Sequence, residues 1–271
     1  MTATSLQSIV HPTDFSAAGL DAFAHALAFA LASRSLLHIL HFEREADDVE
    51  WSRFPRVREM LAQWGVIEAG APHSALERAT GVRVVKATIE ASDPAHGVGV
   101  YVERHLCDLL VLMTHERRGA LRLLEGSVAE TTARLVQAPT LFLREGQGGF
   151  VDRDTGVVSL RTVLAPIDPS VKSLAAWRKI VDLARLLDPS AQTWLLHVGE
   201  EAPTFQGLLP PIVARRGPVV ETILSYAEEI GADLIAMPTE GHHGLFDALR
   251  GDTTEQVLRR APCPVLAIPV A

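Results

Sequence analysis

The sequence predicts an α/β protein of two tandem domains, each a five-stranded parallel sheet with helices on both faces. Three observations predict it. Short, nearly continuous apolar runs alternate with segments of helical periodicity, as in parallel strands buried on both sides. That alternation occurs twice within the 271 residues. The second occurrence also repeats the landmarks of the first. Pro12-Thr13-Asp14-Phe15-Ser16 returns as Pro166-Ile167-Asp168-Pro169-Ser170, and Asp108-Leu109-Leu110 returns as Asp233-Leu234-Ile235. Ala138-Pro139-Thr140-Leu141-Phe142-Leu143 is echoed by Pro262-Cys263-Pro264-Val265-Leu266-Ala267-Ile268.

In chain order, Ser8 to Thr13 reads as a strand. Ala17 to Ser33 reads as a helix with Leu20, Phe23, Leu27 and Leu31 on one stripe, and Leu36 to Phe42 as a second strand. A charged helical stretch from about Val49 to Trp64 precedes a strand over Val82 to Thr88. A helix from Pro94 to Leu106, a strand over Leu109 to Thr114, a helix from Ser127 to Gln137 and a strand over Thr140 to Leu143 complete the first copy. The second copy reads as strand Arg161 to Ile167, helix Ser173 to Leu187, strand Thr193 to Val198 and a short strand Ile212 to Arg215. Helix Val219 to Glu229, strand Asp233 to Met237, helix Thr253 to Arg260 and strand Val265 to Val270 follow. Asp14 and Asp168 stand 154 residues apart, but Asp108 and Asp233 only 125, so the second copy is shorter by 29 residues between its second and third strands. There it carries a proline-bearing loop from Glu201 to Pro211 that cannot be helical throughout. The Gly- and Asp-rich run after Glu145 marks a junction. It divides the chain into a first domain at 1–146, a linker at 147–158 and a second domain at 159–271.

Composition excludes several classes. Twenty-five Lys and Arg against 33 Asp and Glu give a formal charge of −8, with no long basic run, which argues against binding nucleic acid through its phosphates. The two cysteines, Cys107 and Cys263, are far apart and lack a CxxC spacing, so neither a thiolate zinc site nor a disulfide framework is expected. The most apolar stretch, Ala17 to Ala32, is too short for a bilayer span and is interrupted by Asp21 and His25. The first residues show no signal-peptide pattern. A cytoplasmic protein without membrane or nucleic-acid partners is expected.

In open α/β sheets ligands bind beyond the carboxyl ends of the strands, where strand order reverses. Asp14 and Asp168 end the first strand of each copy and so either face that crevice or cap the next helix, with Ser16 and Ser170 as alternative caps. The fourth strands lead to glycines that precede a helix: Gly241 and Gly251 in the second copy, and Gly126 followed by Ser127 in the first. Such glycines let backbone approach a phosphate, while free amides at the helix start supply donors. Adjacent His242 and His243, with Glu240 and Asp247 nearby, raise a metal site, but without i, i+4 spacing a solvated loop is the expectation. His41 and His197 end the second strands and are expected to hydrogen-bond a neighbouring loop; Cys107 and Cys263 are expected to pack.

On the Pro-x-Asp-x-Ser openings, the Asp-Leu-(Leu/Ile) segments, the glycine loop and the Pro-bearing closing strands, the chain resembles the universal stress proteins in a tandem form. The resemblance implies strand order 3-2-1-4-5 in each domain. It also implies ATP or another adenine nucleotide as the candidate ligand, bound through a Gly-x2-Gly-x9-Gly-(Ser/Thr) loop and an Asp after strand one. Carried over, that assigns Asp14, Gly126 and Ser127 in one copy and Asp168, Gly241 and Gly251 in the other as candidate binding residues.

The loop departs from the family pattern in both copies. The first has Met113, Glu116, Gly126 and Ser127 at the four positions; the second has Pro238, Gly241, Gly251 and Asp252. Two like charges about 4 Å apart repel by about 1 kcal/mol even in water, so Glu116 and Asp252 oppose a phosphate. The expected function is therefore a stress-response binding and interaction module with degenerate nucleotide loops, not an enzyme, since no catalytic constellation stands out. The alternatives are a weak nucleotide-hydrolysing enzyme or a carrier of a non-phosphorylated small ligand. Single-domain relatives commonly pair through their last strands, so Thr140 to Leu143 and Val265 to Ile268 are expected to pair internally as a pseudo-dimer, with a further homo-oligomer left open.

Overall fold

The computed structural model describes residues 6–43, 51–114, 138–205, 210–240 and 253–270. The first copy comprises β1 (Ser8–Pro12), α1 (Gly19–Ser33), β2 (Leu36–Glu43), α2 (Val57–Gln63), α3 (His73–Thr80), β3 (Arg83–Glu90), α4 (Pro94–His105), β4 (Leu109–Thr114) and β5 (Thr140–Arg144). The second comprises β6 (Thr162–Pro166), α5 (Val171–Leu187), β7 (Gln192–Val198), β8 (Ile212–Arg215), α6 (Val219–Glu229), β9 (Leu234–Glu240), α7 (Thr253–Arg260) and β10 (Val265–Val270). The helix expected over Ser127 to Gln137 lies outside the described residues.

The strands form one sheet in the order β3-β2-β1-β4-β5-β10-β9-β6-β7-β8, which contains the order 3-2-1-4-5 twice. Within each copy every ladder is parallel. The copies meet at β5 and β10, which pair antiparallel through Phe142–Val265, Leu141–Leu266 and Thr140–Ala267. This pairing removes two edges that would otherwise expose unpaired backbone.

Period-two alternation sends neighbouring residues to opposite faces. Ile9, Leu37 and Leu109 of the first copy and Val163, Leu195 and Leu234 of the second belong to one continuous core, covered by α1 and by Ala176, Ile180 and Leu183 of α5. On the other face the core divides in two: Val10, Leu40 and Leu110 lie under Val98 and Val102 of α4, joined by Ala267 of β10, and Leu164, Leu196 and Ile235 lie under α6 and α7. Helix α1 is buried from Ala22 to Ala30, as expected of an alanine-rich helix that is apolar all round.

The repeated aspartate of the fourth-strand landmark has a structural role. Asp108 Oδ2 accepts from the amides of Gln7 (2.7 Å) and Ser8 (3.0 Å), and Asp233 Oδ2 accepts from Arg161 and Thr162 (both 2.8 Å). Each carboxylate thus satisfies the amides that open the first strand of its copy.

Between β2 and β3 the first copy is longer than the second between β7 and β8, and this segment is not one helix. A 3-10 turn at Trp51–Arg53 and α2 are separated by Pro55, which has no amide to donate and biases Phe54 away from helical geometry. The sequence reading missed α3, whose sole buried residue is Leu76 and which ends at Gly81 with φ +74°. The junction between the copies is ordered and packed: Val151 bridges Val158, and Phe150 and Leu160 are buried. Its anchor is His25 of α1. The ring donates from Nδ1 to the Asp21 carbonyl (2.7 Å) and accepts at Nε2 from the Val151 amide (3.1 Å), and Phe150 meets its face edge-on.

Candidate functional site

Strands β1 and β4 pair only through Ile9–Leu109 and Val10–Leu110, and β6 and β9 only through Val163–Leu234 and Leu164–Ile235. Beyond these residues each pair parts at its carboxyl end, at the point where strand order reverses. Two equivalent crevices result.

Asp14 and Asp168 stand at their mouths. Asp14 Oδ1 accepts from the Ser16 amide (2.9 Å), and Asp168 Oδ1 from the Ser170 amide (2.8 Å), so both form the same local turn two residues on. The helix-capping bonds come from the serines: Ser16 Oγ accepts from the Gly19 amide (3.0 Å) and Ser170 Oγ from the Ser173 amide (3.2 Å). Asp168 Oδ1 also accepts from the Ser173 hydroxyl (2.6 Å). Partial burial pushes this carboxyl's pKa up, but the hydrogen bonds from Ser170 and Ser173 and the nearby His197 outweigh it and hold the group below the ordinary carboxylate range.

The histidines at the ends of β2 and β7 are equivalent too. His41 Nδ1 donates to the Thr13 carbonyl (2.8 Å) and His197 Nδ1 to the Ile167 carbonyl (3.0 Å), each the residue before the crevice aspartate. His41 also meets Glu43 Oε1 at 2.8 Å. Cys107 is half-buried and Cys263 buried, and burial pushes both thiols up to about 12, which disfavours the thiolate. Among the described residues no His, Cys, Asp and Glu group could hold a metal ion.

The surroundings of the two aspartates differ. In the first crevice Phe15, in the left-handed region at φ +63°, lays its ring on His41 at 3.9 Å between centroids. The Arg53 guanidinium stands 4.6 Å over the other face of Phe15, and Phe54 abuts its edge at 5.1 Å. The corresponding residue of the second copy is Pro169, and the segment that supplies Arg53 and Phe54 has no counterpart there. His197 is covered instead by Gly199, where a Cβ would sit 2.4 Å from the ring.

The fourth strands differ as well. The amide of Leu110 donates to Pro139 and that of Ile235 to Pro264, both toward the closing strand. By alternation, Met113 and Pro238 turn their backbone nitrogens the other way, toward the crevice. The first crevice therefore has an amide donor where the second has none. Pro238 is tolerated because β9 has already left β6, so no ladder bond is broken. The floor of the first crevice also holds His11, which donates from Nδ1 to the Val111 carbonyl (3.1 Å) where the strands part. Burial lowers its pKa to about 4, against the carbonyl bond and Asp14. The second copy has Ala165 there. Of the candidate binding residues, Gly126, Ser127, Gly241 and Gly251 lie outside the described residues, as do Glu116, Asp252, His242 and His243.

A model of the universal stress protein family matches residues 5–144 and 200–269. The chain belongs to that family. A universal stress protein of Synechocystis sp. is 27% identical over 139 residues, an alignment covering 42% of this chain and 88% of that protein. The crystal structure of a universal stress protein from Archaeoglobus fulgidus superposes with a TM-score of 0.65 at 19% identity, covering 97% of this chain and 98% of that one. A second structural neighbour, from Pseudomonas aeruginosa, gives a TM-score of 0.63 at 16% identity over 100% and 95% of the two chains. At such identities the superpositions establish the fold, here in its tandem form.

Proposed function

We propose that this universal stress protein is a non-enzymatic small-molecule binding module, with one crevice in each copy, and that both crevices hold adenine nucleotides only weakly. The observation that carries this reading is the recurrence of the same carboxylate turn at both parted strand pairs, beside backbone that cannot serve a phosphate equally well in the two. In the second crevice Pro238 withholds an amide, and the sequence places Asp252 immediately before α7, which begins at Thr253. In general, a carboxylate just before a helix competes with a phosphate for the helix N-terminus. In the first crevice the Met113 amide is present, but Glu116 follows and the Phe15–His41 stack covers the floor beside Asp14. We read the working units as 1–146 and 159–271, joined by 147–158, and place the protein in the cytoplasm. No helix among the described residues is long and apolar enough to cross a membrane.

Calorimetric titration of the full chain with Mg-ATP tests this. Wild-type protein is expected to bind more weakly than micromolar. Asp252→Ser is expected to tighten binding by about tenfold, the equivalent of about 1.4 kcal/mol, by replacing a repelling carboxylate with a donor. An unchanged isotherm in Asp252→Ser would show that the carboxylate is not the barrier.

A further inference from the structure

The segment present only in the first copy, with α2 and α3, stands beside β3, the outermost strand on that side of the sheet. Between them is an open cavity of about 1170 Å3 whose apolar wall includes Leu36, Leu76 and Val84. Lys86 lies two residues after Val84 and so on the same face of β3. It is half-buried and makes no salt bridge among the described residues; Phe54 lies under its ammonium at 5.9 Å. Arg58 of α2 enters the same cavity, its guanidinium positioned by a 2.7 Å bond to the Ala71 carbonyl. Burial first, then the repulsion of Arg58 and Arg56, lowers the pKa of Lys86, and Glu59 only partly opposes this. Glu59 is exposed and already engaged by Arg56 at 2.8 Å.

An inward-facing lysine on an edge strand can guard it against pairing with another chain. That role accounts for Lys86 but not for a fixed guanidinium beside it, which raises the cost of the buried charge. Desolvated cations are stabilised by a counter-charge, and Lys86 forms no ion pair with Glu59, which Arg56 engages, or with Glu77, the other carboxylate lining the cavity. We propose that this cavity binds an amphipathic organic anion, with a carboxylate or phosphate head at Lys86 and Arg58 and an apolar body against Leu36, Leu76 and Val84. The site lies at the sheet edge and borders the first crevice, with Phe54 between Lys86 and Phe15.

Titration of the full chain with octyl phosphate, octanoate and octanol tests the proposal. At least one of the two anions is expected to bind at least tenfold more tightly than the neutral alcohol, and the tighter anion identifies the head group. Lys86→Met should weaken anion binding at least tenfold, whereas Lys86→Arg and the remote Arg161→Met should retain it. Equal binding of octanol, no binding of either anion, or full anion affinity in Lys86→Met would overturn the site. Self-association of Lys86→Met with anion binding intact would assign Lys86 to edge protection instead. If Lys86→Met does not fold, loss of binding in Lys86→Arg overturns the proposal and retention supports it.

Discussion

Among the described residues, the buried His11, His25 and His38 make stability depend on acid. Burial lowers His11, His25 and His38 to about 4 each, His38 with added repulsion from His105. The unfolded chain protonates its imidazoles near 6.5, so unfolding takes up protons between about 6.5 and about 4. Stability contributed by these neutral rings is therefore complete above pH 6.5, falls as pH drops through that window and levels off below about 4. For the fully buried His11 and His25 the loss is at most about 3 kcal/mol each. Urea unfolding at pH 7.5 and 5.0 is expected to show a lower midpoint at pH 5.0, and His25→Gln should flatten the difference. Equal midpoints in the wild type would contradict the neutral-imidazole assignment. Asp168 works in a lower window: its carboxyl is held below the ordinary range, so its contribution is present above the unfolded value and is lost as pH falls through the folded one.

At the scale of elements, the junction after β5 behaves as part of the fold. Its glycine content reads as a spacer, yet Gly149 is required because a Cβ there would sit 2.2 Å from the His25 ring. Gly149→Val is expected to lift the junction off α1 and expose Phe150 and Val151, costing about 3 kcal/mol from lost burial and the orphaned Val151 amide. Faster proteolysis between residues 146 and 158 would accompany it; a variant with wild-type urea midpoint and cleavage rate would refute the contact.

What the sequence reveals follows the same physics. The strands were legible because continuous apolar runs bounded by Pro, Asp and Gly have few alternatives, and Leu109–Thr114 and Val265–Val270 coincide with expectation. The single helix expected from Val49 to Trp64 failed at Pro55, and α3 was missed because one buried leucine leaves no periodic signal. For the site, the repeated Asp14 and Asp168 were visible, as was the loop contact of His41 and His197. The Phe15 stack was not, because it depends on a left-handed backbone and on residues from a distant segment. The cavity around Lys86 was equally hidden: nothing in its local sequence links it to Arg58.

For the whole molecule, β5 and β10 merge the copies into one sheet, and one face carries a single core drawn from both. The two crevices thus belong to one framework, and each differs from the other in what it offers a phosphate. Met113 supplies an amide where Pro238 cannot, while Phe15 stacks on His41 where Gly199 lies against His197. A protein built this way should leave a gentle purification without nucleotide. Native mass spectrometry of the freshly isolated chain is the most direct test. The predicted spectrum shows no ATP or AMP adduct; a stoichiometric adenine nucleotide retained through buffer exchange would contradict the account.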